Sequence, residues 1–282
     1  MLQASVILSF YNDLPLLRLA LDALATQYVG QFEVLIADDG SRPDVVRELE
    51  QLLPRYAFKV RHRWHDDSGF RKTVILNCAV TQAQTDCLIF VDADCVPQTH
   101  FVDDHLRHAG PGICQTGRRI DVFREATDEL DCSEPAQLLG RNWTTFLRWS
   151  WRRQARNIEK GIRLPSVLAD KVRGRAWGAL GCNFSVNRQD FLQINGFDER
   201  FCVTWGAEDS DPERRLLKAG VRIRSLRYQA TMIHFDASYF KRRGGRPIRE
   251  ANGHYAAVEA ENRVWTPYGI IKEDRPDPQL YP

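Results

Sequence analysis

Asp92 and Asp94 stand one residue apart at the end of the apolar run Leu88-Ile-Phe-Val91. Two carboxylates so placed offer hard oxygen ligands to a divalent cation, and a cation held there can grip a diphosphate. A turn before Pro97 is the alternative reason for the pair, because Asp-x-Asp occurs widely. A second acidic pair, Glu208-Asp209, follows Trp205-Gly206 in a loop just before a helix. A Trp can stack on a sugar ring while an acid sits against a hydroxyl, so this loop suits carbohydrate, with a solvated acidic loop as the alternative. A third cluster is Asp38-Asp39-Gly40-Ser41, where turn chemistry and helix capping compete with a binding role. Tyr11 can stack on a base, Asp39 can accept from an imide N–H, and Arg71 beside Lys72 can take a diphosphate in bidentate fashion. His234 ends a short strand; a lone His is most often a hydrogen-bonded surface residue.

Those residues need a scaffold that brings strand ends together. Residues 4–10 read as a first strand, and a helix runs from Pro15 to about Thr26 with an apolar face. Phe32 to Ala37 is a second strand, Asp44 to Leu53 a helix, Lys59 to Trp64 a third strand, Arg71 to Ala83 a helix and Leu88 to Val91 a fourth strand. Strands alternating with helices imply βαβ units, right-handed crossovers and a parallel sheet. In such sheets ligands bind outside the carboxyl ends of the strands, where Ser9-Phe10-Tyr11, Asp38-Asp39 and Asp92-Ala-Asp94 all lie. No Gly-x-Gly-x-x-Gly or Walker sequence occurs, so a cation and basic side chains must serve the phosphates.

The remainder is less regular. A strand is expected over Gly112 to Arg118, and a helical segment from Pro135 to about Ile162. Between Arg141 and Arg175 ten Arg or Lys face only two acids, interleaved with Trp143, Trp149 and Trp151. Such a segment suits an anionic membrane surface or an anionic acceptor, and Trp residues of the core are the alternative. Ala179 to Val186 reads as a strand, followed by a short helix from Arg188. Pro212 fits the first position of another helix, with Asp211 as its N-cap. Arg222 to Leu226 and Ala230 to His234 are short strands, and 241–282 reads as an arm packed on the domain or a partly mobile lid.

Length bounds the chain to one large domain or two small ones, and one structural domain is expected. Its parts are a nucleotide-sugar half (1–115), an acceptor and catalytic half (116–240, with the basic insert 135–175) and a C-terminal arm (241–282). A formal charge of +2 gives no case for nucleic acid. No apolar stretch reaches about 18 residues, so no membrane span is expected, and no secretory signal is visible. Seven cysteines at scattered spacings, without a Cys-x-x-Cys, argue against a zinc cluster and for a reduced, cytoplasmic compartment. Cys78, Cys87, Cys114 and Cys182 are expected to be buried thiols.

Taken in order, Ser5-Val-Ile-Leu-Ser-Phe-Tyr-Asn12, Ala37-Asp-Asp-Gly-Ser41, Gly69-Phe-Arg71 with Asn77, and Val91-Asp-Ala-Asp94 resemble the family 2 glycosyltransferases of GT-A fold. The later Gly181-Cys-Asn183, Gly196-Phe-Asp198 and Trp205-Gly-Ala-Glu-Asp-Ser-Asp211 resemble the acceptor half of chondroitin-polymerase-type and beta-1,4-galactosyltransferase-type enzymes. The resemblance implies an α/β GT-A fold with a mostly parallel, Rossmann-like sheet and a smaller acceptor-side subdomain. It implies a UDP-sugar donor, with Ser9, Tyr11, Asp39, Arg71, Asp92 and Asn183 binding the nucleotide sugar, and Mn2+ or Mg2+ held by Asp94 and the distant His234. Asp209 would be the catalytic base, with Glu208 and Trp205 at the acceptor. Such enzymes build bacterial surface polysaccharide or lipopolysaccharide on a glycan or lipid-linked acceptor, which would put the protein at the inner face of the cell membrane. Cys182 stands where the family more often has a second Gly, and the basic insert lies outside the common pattern.

One base and an in-line attack imply inversion; retention would need a carboxylate nucleophile beneath the sugar, for which the sequence carries no signal. Two other readings compete. A sugar nucleotidyltransferase would usually carry a Gly-rich loop after strand one, where Phe10-Tyr11-Asn12-Asp13 stands, and would release pyrophosphate. A non-catalytic glycan- or membrane-binding module would bind without turning over any nucleotide sugar.

Overall fold

The computed structural model describes residues 1–123, 129–174, 178, 181–202, 208–235 and 255–272. The first half alternates strand and helix as the apolar runs dictate: β1 (Ala4–Phe10), α1 (Leu14–Ala25), β2 (Phe32–Asp38), α2 (Pro43–Leu52), β3 (Lys59–Trp64), α3 (Lys72–Gln82) and β4 (Cys87–Asp92). β1 and β2 are buried almost throughout, as parallel strands covered on both faces must be. Asp13 caps α1 by accepting from the Leu16 N–H, with Pro15 in the first turn.

The second half supplies shorter pieces: β5 (Cys95–Pro97), α4 (Phe101–Leu106), β6 (Ile113–Thr116), β7 (Arg119–Val122), α5 (Leu138–Arg141), α6 (Trp143–Trp151), β8 (Ala155–Arg156) and α7 (Ser166–Val172). They are followed by β9 (Phe184–Asn187), α8 (Arg188–Gln193), α9 (Ser210–Lys218), β10 (Arg222–Ser225) and β11 (Met232–His234). Among the described residues the large sheet runs β10-β6-β9-β4-β1-β2-β3, and a small one runs β5-β11-β7-β8. Strands β3, β2, β1 and β4 are parallel; β9 lies antiparallel between β4 and β6, and β6 pairs parallel with β10. The sheet is therefore mostly parallel, with one reversed strand where the two halves join.

That joint is aromatic. Phe90 of β4 stands opposite Phe184 of β9 and stacks on it at 4.5 Å, and Phe197 meets Phe90 edge-on at 5.4 Å. Each such pair stabilises by roughly 0.5–1.5 kcal/mol beyond its buried area. Asn77 of α3 ties the same turn down, donating to the Phe197 carbonyl at 2.9 Å and accepting from its N–H at 2.8 Å.

Several expectations shift. The strand expected over Gly112 to Arg118 is shorter, ending at Thr116, and a separate strand of the small sheet starts at Arg119; between them the backbone at Gly117 passes against the Asn183 side chain. A Cβ there would lie 2.2 Å from the Asn183 amide. The expected helix from Pro135 to Ile162 is broken into α5, α6 and short 3-10 turns; Arg153 and Asn157 take left-handed backbone and end it. Within it Trp149 is buried against Phe146, whereas Trp151 is 86% exposed. Asp211 is not an N-cap. Helix α9 starts two residues earlier, with Asp209 at its N-cap position, and the buried Asp211 carboxylate pairs with Arg215 and Arg214 at 2.7 and 2.9 Å. Cys78 is only partly buried, while Cys87, Cys114 and Cys182 are buried and free. Within the C-terminal arm, residues 255–272 pack on the body of the protein: the Asn195 amide donates to the Thr266 and Ile271 carbonyls, and Thr266 to Asp198. No helix among the described residues is long and apolar enough to cross a membrane.

Candidate active site

Parallel pairing puts the ends of β1, β2 and β4 side by side. Ser9 lies opposite Asp92, and Phe10 opposite Asp38. Above these ends opens a cleft of about 510 Å³ whose walls include Ser9, Tyr11, Asp39, Lys72, Asp92 and Asp94. Five residues singled out by type and spacing thus share one space.

On the β2 side, Asp39 is almost buried, and its orientation is fixed three ways. Its own N–H donates to the Phe10 carbonyl at 2.9 Å. Its carboxylate accepts the Arg71 backbone N–H at 3.0 and 3.2 Å and bonds His65 Nε2 at 2.9 Å. The chain turns here through Gly40 at φ +92°, where a Cβ would lie 2.6 Å from the Asp67 backbone. Arg71 therefore meets Asp39 through its backbone, at the N-cap of α3. Tyr11 is half exposed and donates to Asp67 at 3.0 Å, leaving a ring face at the mouth. Asp38 is turned away, binding the Ser41 N–H at 2.8 Å and His62 at 3.0 Å.

The two acids of the Asp-Ala-Asp turn have different partners. Asp92 accepts from the Ser9 hydroxyl and from Lys72 Nζ, the latter at 2.7 Å. Asp94 faces the small sheet, where His234 Nε2 stands 3.2 Å from its Oδ2, and His234 Nδ1 lies 3.2 Å from Asp121 Oδ1. His234 is thus a buried residue between two carboxylates, not a surface one. Burial works against its charge, but Asp94 and then Asp121 outweigh burial and lift the imidazole to about 10. Burial would raise the Asp94 carboxyl, yet His234 holds it well below the usual carboxylate range. A positive charge is what this spot favours, whether a proton on the ring or a metal ion. Asp94, Cys95 and His234 each offer a ligand atom, and these atoms lie within 4.8 Å of one another, so an oxygen, nitrogen and sulfur set fits a divalent cation.

Glu208 and Asp209 immediately precede α9. Asp209 stands at its N-terminal boundary, and its Oδ2 accepts the Gly181 N–H at 2.9 Å. Burial raises the Glu208 carboxyl above its ordinary value, with Lys72 opposing and Asp209 and Asp92 adding to the rise. Lys72 reports the same neighbourhood. Burial would lower its ammonium, but Asp92, Glu208 and Asp209 together hold it above the ordinary lysine value. Lys72 is thus bonded to the Asp92-Ala-Asp94 turn and feels the charge of the acids just before α9. Asn183 lies outside the cleft: it is fully buried, its amide donating to the Arg118 and Ala230 carbonyls at 3.0 and 2.9 Å and accepting from His105. Trp205 lies outside the described residues.

Sequence reasoning left Lys72, Asp121 and Cys95 out of the site. Lys72 was visible as one of two cations at a helix start, but nothing in the sequence said which carboxylates it meets. Asp121 and Cys95 become neighbours of His234 only through the pairing of β5, β11 and β7.

Residues 5–127 match the family model described as glycosyl transferase family 2, and residues 165–237 the one described as N-terminal domain of galactosyltransferase. Validoxylamine A glucosyltransferase of Streptomyces hygroscopicus subsp. jinggangensis is 27% identical over 235 residues, covering 77% of this chain and 52% of that protein. Chondroitin synthase of Escherichia coli is 22% identical over 244 residues, covering 79% of this chain and 33% of that one. The chain thus spans about half the length of the first relative and a third of the second. The crystal structure of GalNAc-T7 with UDP, GalNAc and Mn2+ superposes with a TM-score of 0.57 at 14% identity, over 84% of this chain and 44% of that one. The architecture is the GT-A fold.

Proposed function

We propose that this family 2 glycosyltransferase, whose residues 5–127 fall within that family, moves a sugar from a UDP-sugar to an acceptor hydroxyl with inversion, using a divalent cation. The observation that carries the reading is the convergence of Ser9, Asp39, Lys72, Asp92 and Asp94 on one cleft, with Lys72 bonded to Asp92 and its charge favoured also by Glu208 and Asp209.

Each side chain then has a task. Tyr11 stacks on the uracil and Asp39, held rigid by Arg71 N–H and His65, accepts from its imide N–H. Ser9 and Asp92 line the ribose and sugar side, and Arg71 lies near the diphosphate. Asp94 and His234 would hold Mn2+ or Mg2+, which when bound supplies Lewis-acid neutralisation of charge on the departing diphosphate. Asp209, fixed by the Gly181 N–H, takes the proton from the acceptor hydroxyl as its oxygen attacks the anomeric carbon. Glu208 and Trp205 contact the acceptor. Residues 1–115 serve the donor and 116–240 the acceptor. Asn183 supports the sugar pocket indirectly, by bracing the backbone at Arg118 and Ala230. The acceptor is a glycan or lipid-linked glycan of a bacterial surface polysaccharide or lipopolysaccharide, reached from the cytoplasmic face of the membrane. The exposed Trp151 with Arg148, Arg152 and Arg153 supports contact with an anionic bilayer.

Calorimetric titration of UDP in Mn2+ tests the reading. Asp94→Asn is expected to weaken UDP at least tenfold, about 1.4 kcal/mol, and chelation of the wild type should weaken it equally. Equal affinity with and without chelator would remove the cation from the account.

A further inference from the structure

The small sheet lines up more than His234. In the antiparallel pair β5·β11, Cys95 stands directly opposite His234; in the parallel pair β11·β7, His234 stands opposite Asp121. Paired residues of neighbouring strands project to the same face. Cys95, His234 and Asp121 therefore form a row across three strands, with Asp94 at its edge. Cys95 Sγ lies 3.4 Å from Asp94 Oδ1, and His234 Nε2 lies 3.2 Å from Asp94 Oδ2. Ligands about 2.0–2.3 Å from a tetrahedral ion stand roughly 3.3–3.8 Å from one another; the two separations to Asp94 are close to that, and the three ligand atoms all lie within 4.8 Å of one another.

We infer that Cys95 is a third protein ligand of the cation at Asp94 and His234, and that the site favours a thiol-accepting ion such as Zn2+ or Co2+, or Mn2+ before Mg2+. The inference rests on the cation site proposed above and adds a ligand to it. Sulfur is a poor partner for Mg2+, which demands oxygen, whereas borderline ions take thiolate, imidazole and carboxylate together. The surroundings are those of a supported metal site. Asp121 holds His234 Nδ1, which leaves Nε2 for the ion. Asp121 is itself held by Arg119 Nε at 2.9 Å and Asn157 Nδ2 at 2.8 Å. Arg119 also donates to Cys182 Sγ at 2.8 Å, fixing the thiol that stands beside Cys95. His234 and Cys95 are buried, while the Asp94 side chain is 30% exposed and lines the cleft. Asp94 is thus the member of the set that borders the cleft, where a diphosphate would lie. On ligation the Cys95 thiol releases its proton to solvent and its sulfur lone pair forms the bond, with no change of oxidation state.

Cobalt titration of the full chain, freed of metal by chelator, tests this. Wild type should develop a near-ultraviolet thiolate-to-cobalt charge-transfer band that saturates with one ion. Cys95→Ser should lose that band and bind Co2+ at least tenfold more weakly, Cys182→Ser should keep the band, and Zn2+ should displace Co2+ where equal Mg2+ does not. The wild-type spectrum needs no variant to fold: Co2+ bound without the band would overturn the sulfur ligand and leave the Asp94–His234 site standing. A band that survives Cys95→Ser and vanishes in Cys182→Ser would also overturn it. Absence of any Co2+ uptake would overturn the cation site together with its ligand.

Discussion

Replacing Lys72 with Met keeps the length of the side chain and removes the charge that is bonded to Asp92 and acts on Glu208 and Asp209. The Nζ–Asp92 bond is 2.7 Å long and partly shielded from solvent, with the two side chains 17% and 25% exposed. A hydrogen bond to a charged partner of this kind contributes about 1.5–3 kcal/mol. In a chain of 282 residues a loss of 1 kcal/mol lowers Tm by about 2 °C, so a fall of roughly 3–6 °C is expected at neutral pH. If the same interaction holds the reactive geometry, kcat/KM falls by roughly 10–150-fold. The pH dependence has a definite sign. The lysine is raised in the fold, so its stabilisation is complete at neutral pH and fades only above the ordinary lysine range. In Lys72→Met, Glu208, already raised by burial, loses the charge that opposed the rise and moves higher still. An acid raised in the fold costs stability where it is ionised, so the deficit against wild type should narrow as pH falls from neutral toward the ordinary Glu range. For the same reason the acid limb of the rate profile should move to higher pH. Thermal scans across that range, with UDP release from a UDP-sugar, read all three. A variant within 1 °C of wild type at neutral pH with turnover within threefold would refute the shared-cation reasoning.

Other outcomes follow from the same contacts. Asp121→Asn should leave the fold intact but loosen His234, lowering Mn2+ affinity about 10–100-fold by calorimetry. Asp211→Ala strands the buried Arg215 guanidinium, 1% exposed, and should cost about 3–5 kcal/mol of stability in denaturant titration. UDP affinity of the folded Asp211→Ala protein should stay near wild type, since Asp211 lies behind the cleft and outside its lining.

The donor side of the cleft could be read from local pattern. The runs Ser5 to Phe10, Phe32 to Ala37 and Leu88 to Val91 can only be buried strands, and in a parallel sheet their polar tips must converge. Ser9, Asp39, Asp92 and Asp94 accordingly meet where the sheet topology puts them. The cation site resisted the same reasoning, because β5, β7 and β11 are three or four residues long and carry no period to recognise. His234 entered only through resemblance, and nothing in Arg119-Ile-Asp-Val marks Asp121 as its partner. Asp211 shows the opposite failure: a residue of the right type for an N-cap was taken instead by Arg215, four residues on, whose guanidinium also binds the Ile194 and Gly196 carbonyls. The basic segment after Pro135 has an apolar pattern good enough for one helix, and the left-handed residues Arg153 and Asn157 break it.

The proposal that Asp209, at the N-terminal boundary of α9, activates the acceptor hydroxyl is met most directly by Asp209→Asn. Its carboxamide keeps an oxygen for the Gly181 N–H and cannot take a proton. Calorimetry with UDP and Mn2+ and turnover of the UDP-sugar should be measured on the same preparation. UDP affinity should stay within twofold of wild type while sugar transfer falls by about 10²–10⁴-fold, the range of a lost general base. Transfer at a near-normal rate with binding unchanged would contradict that role for Asp209.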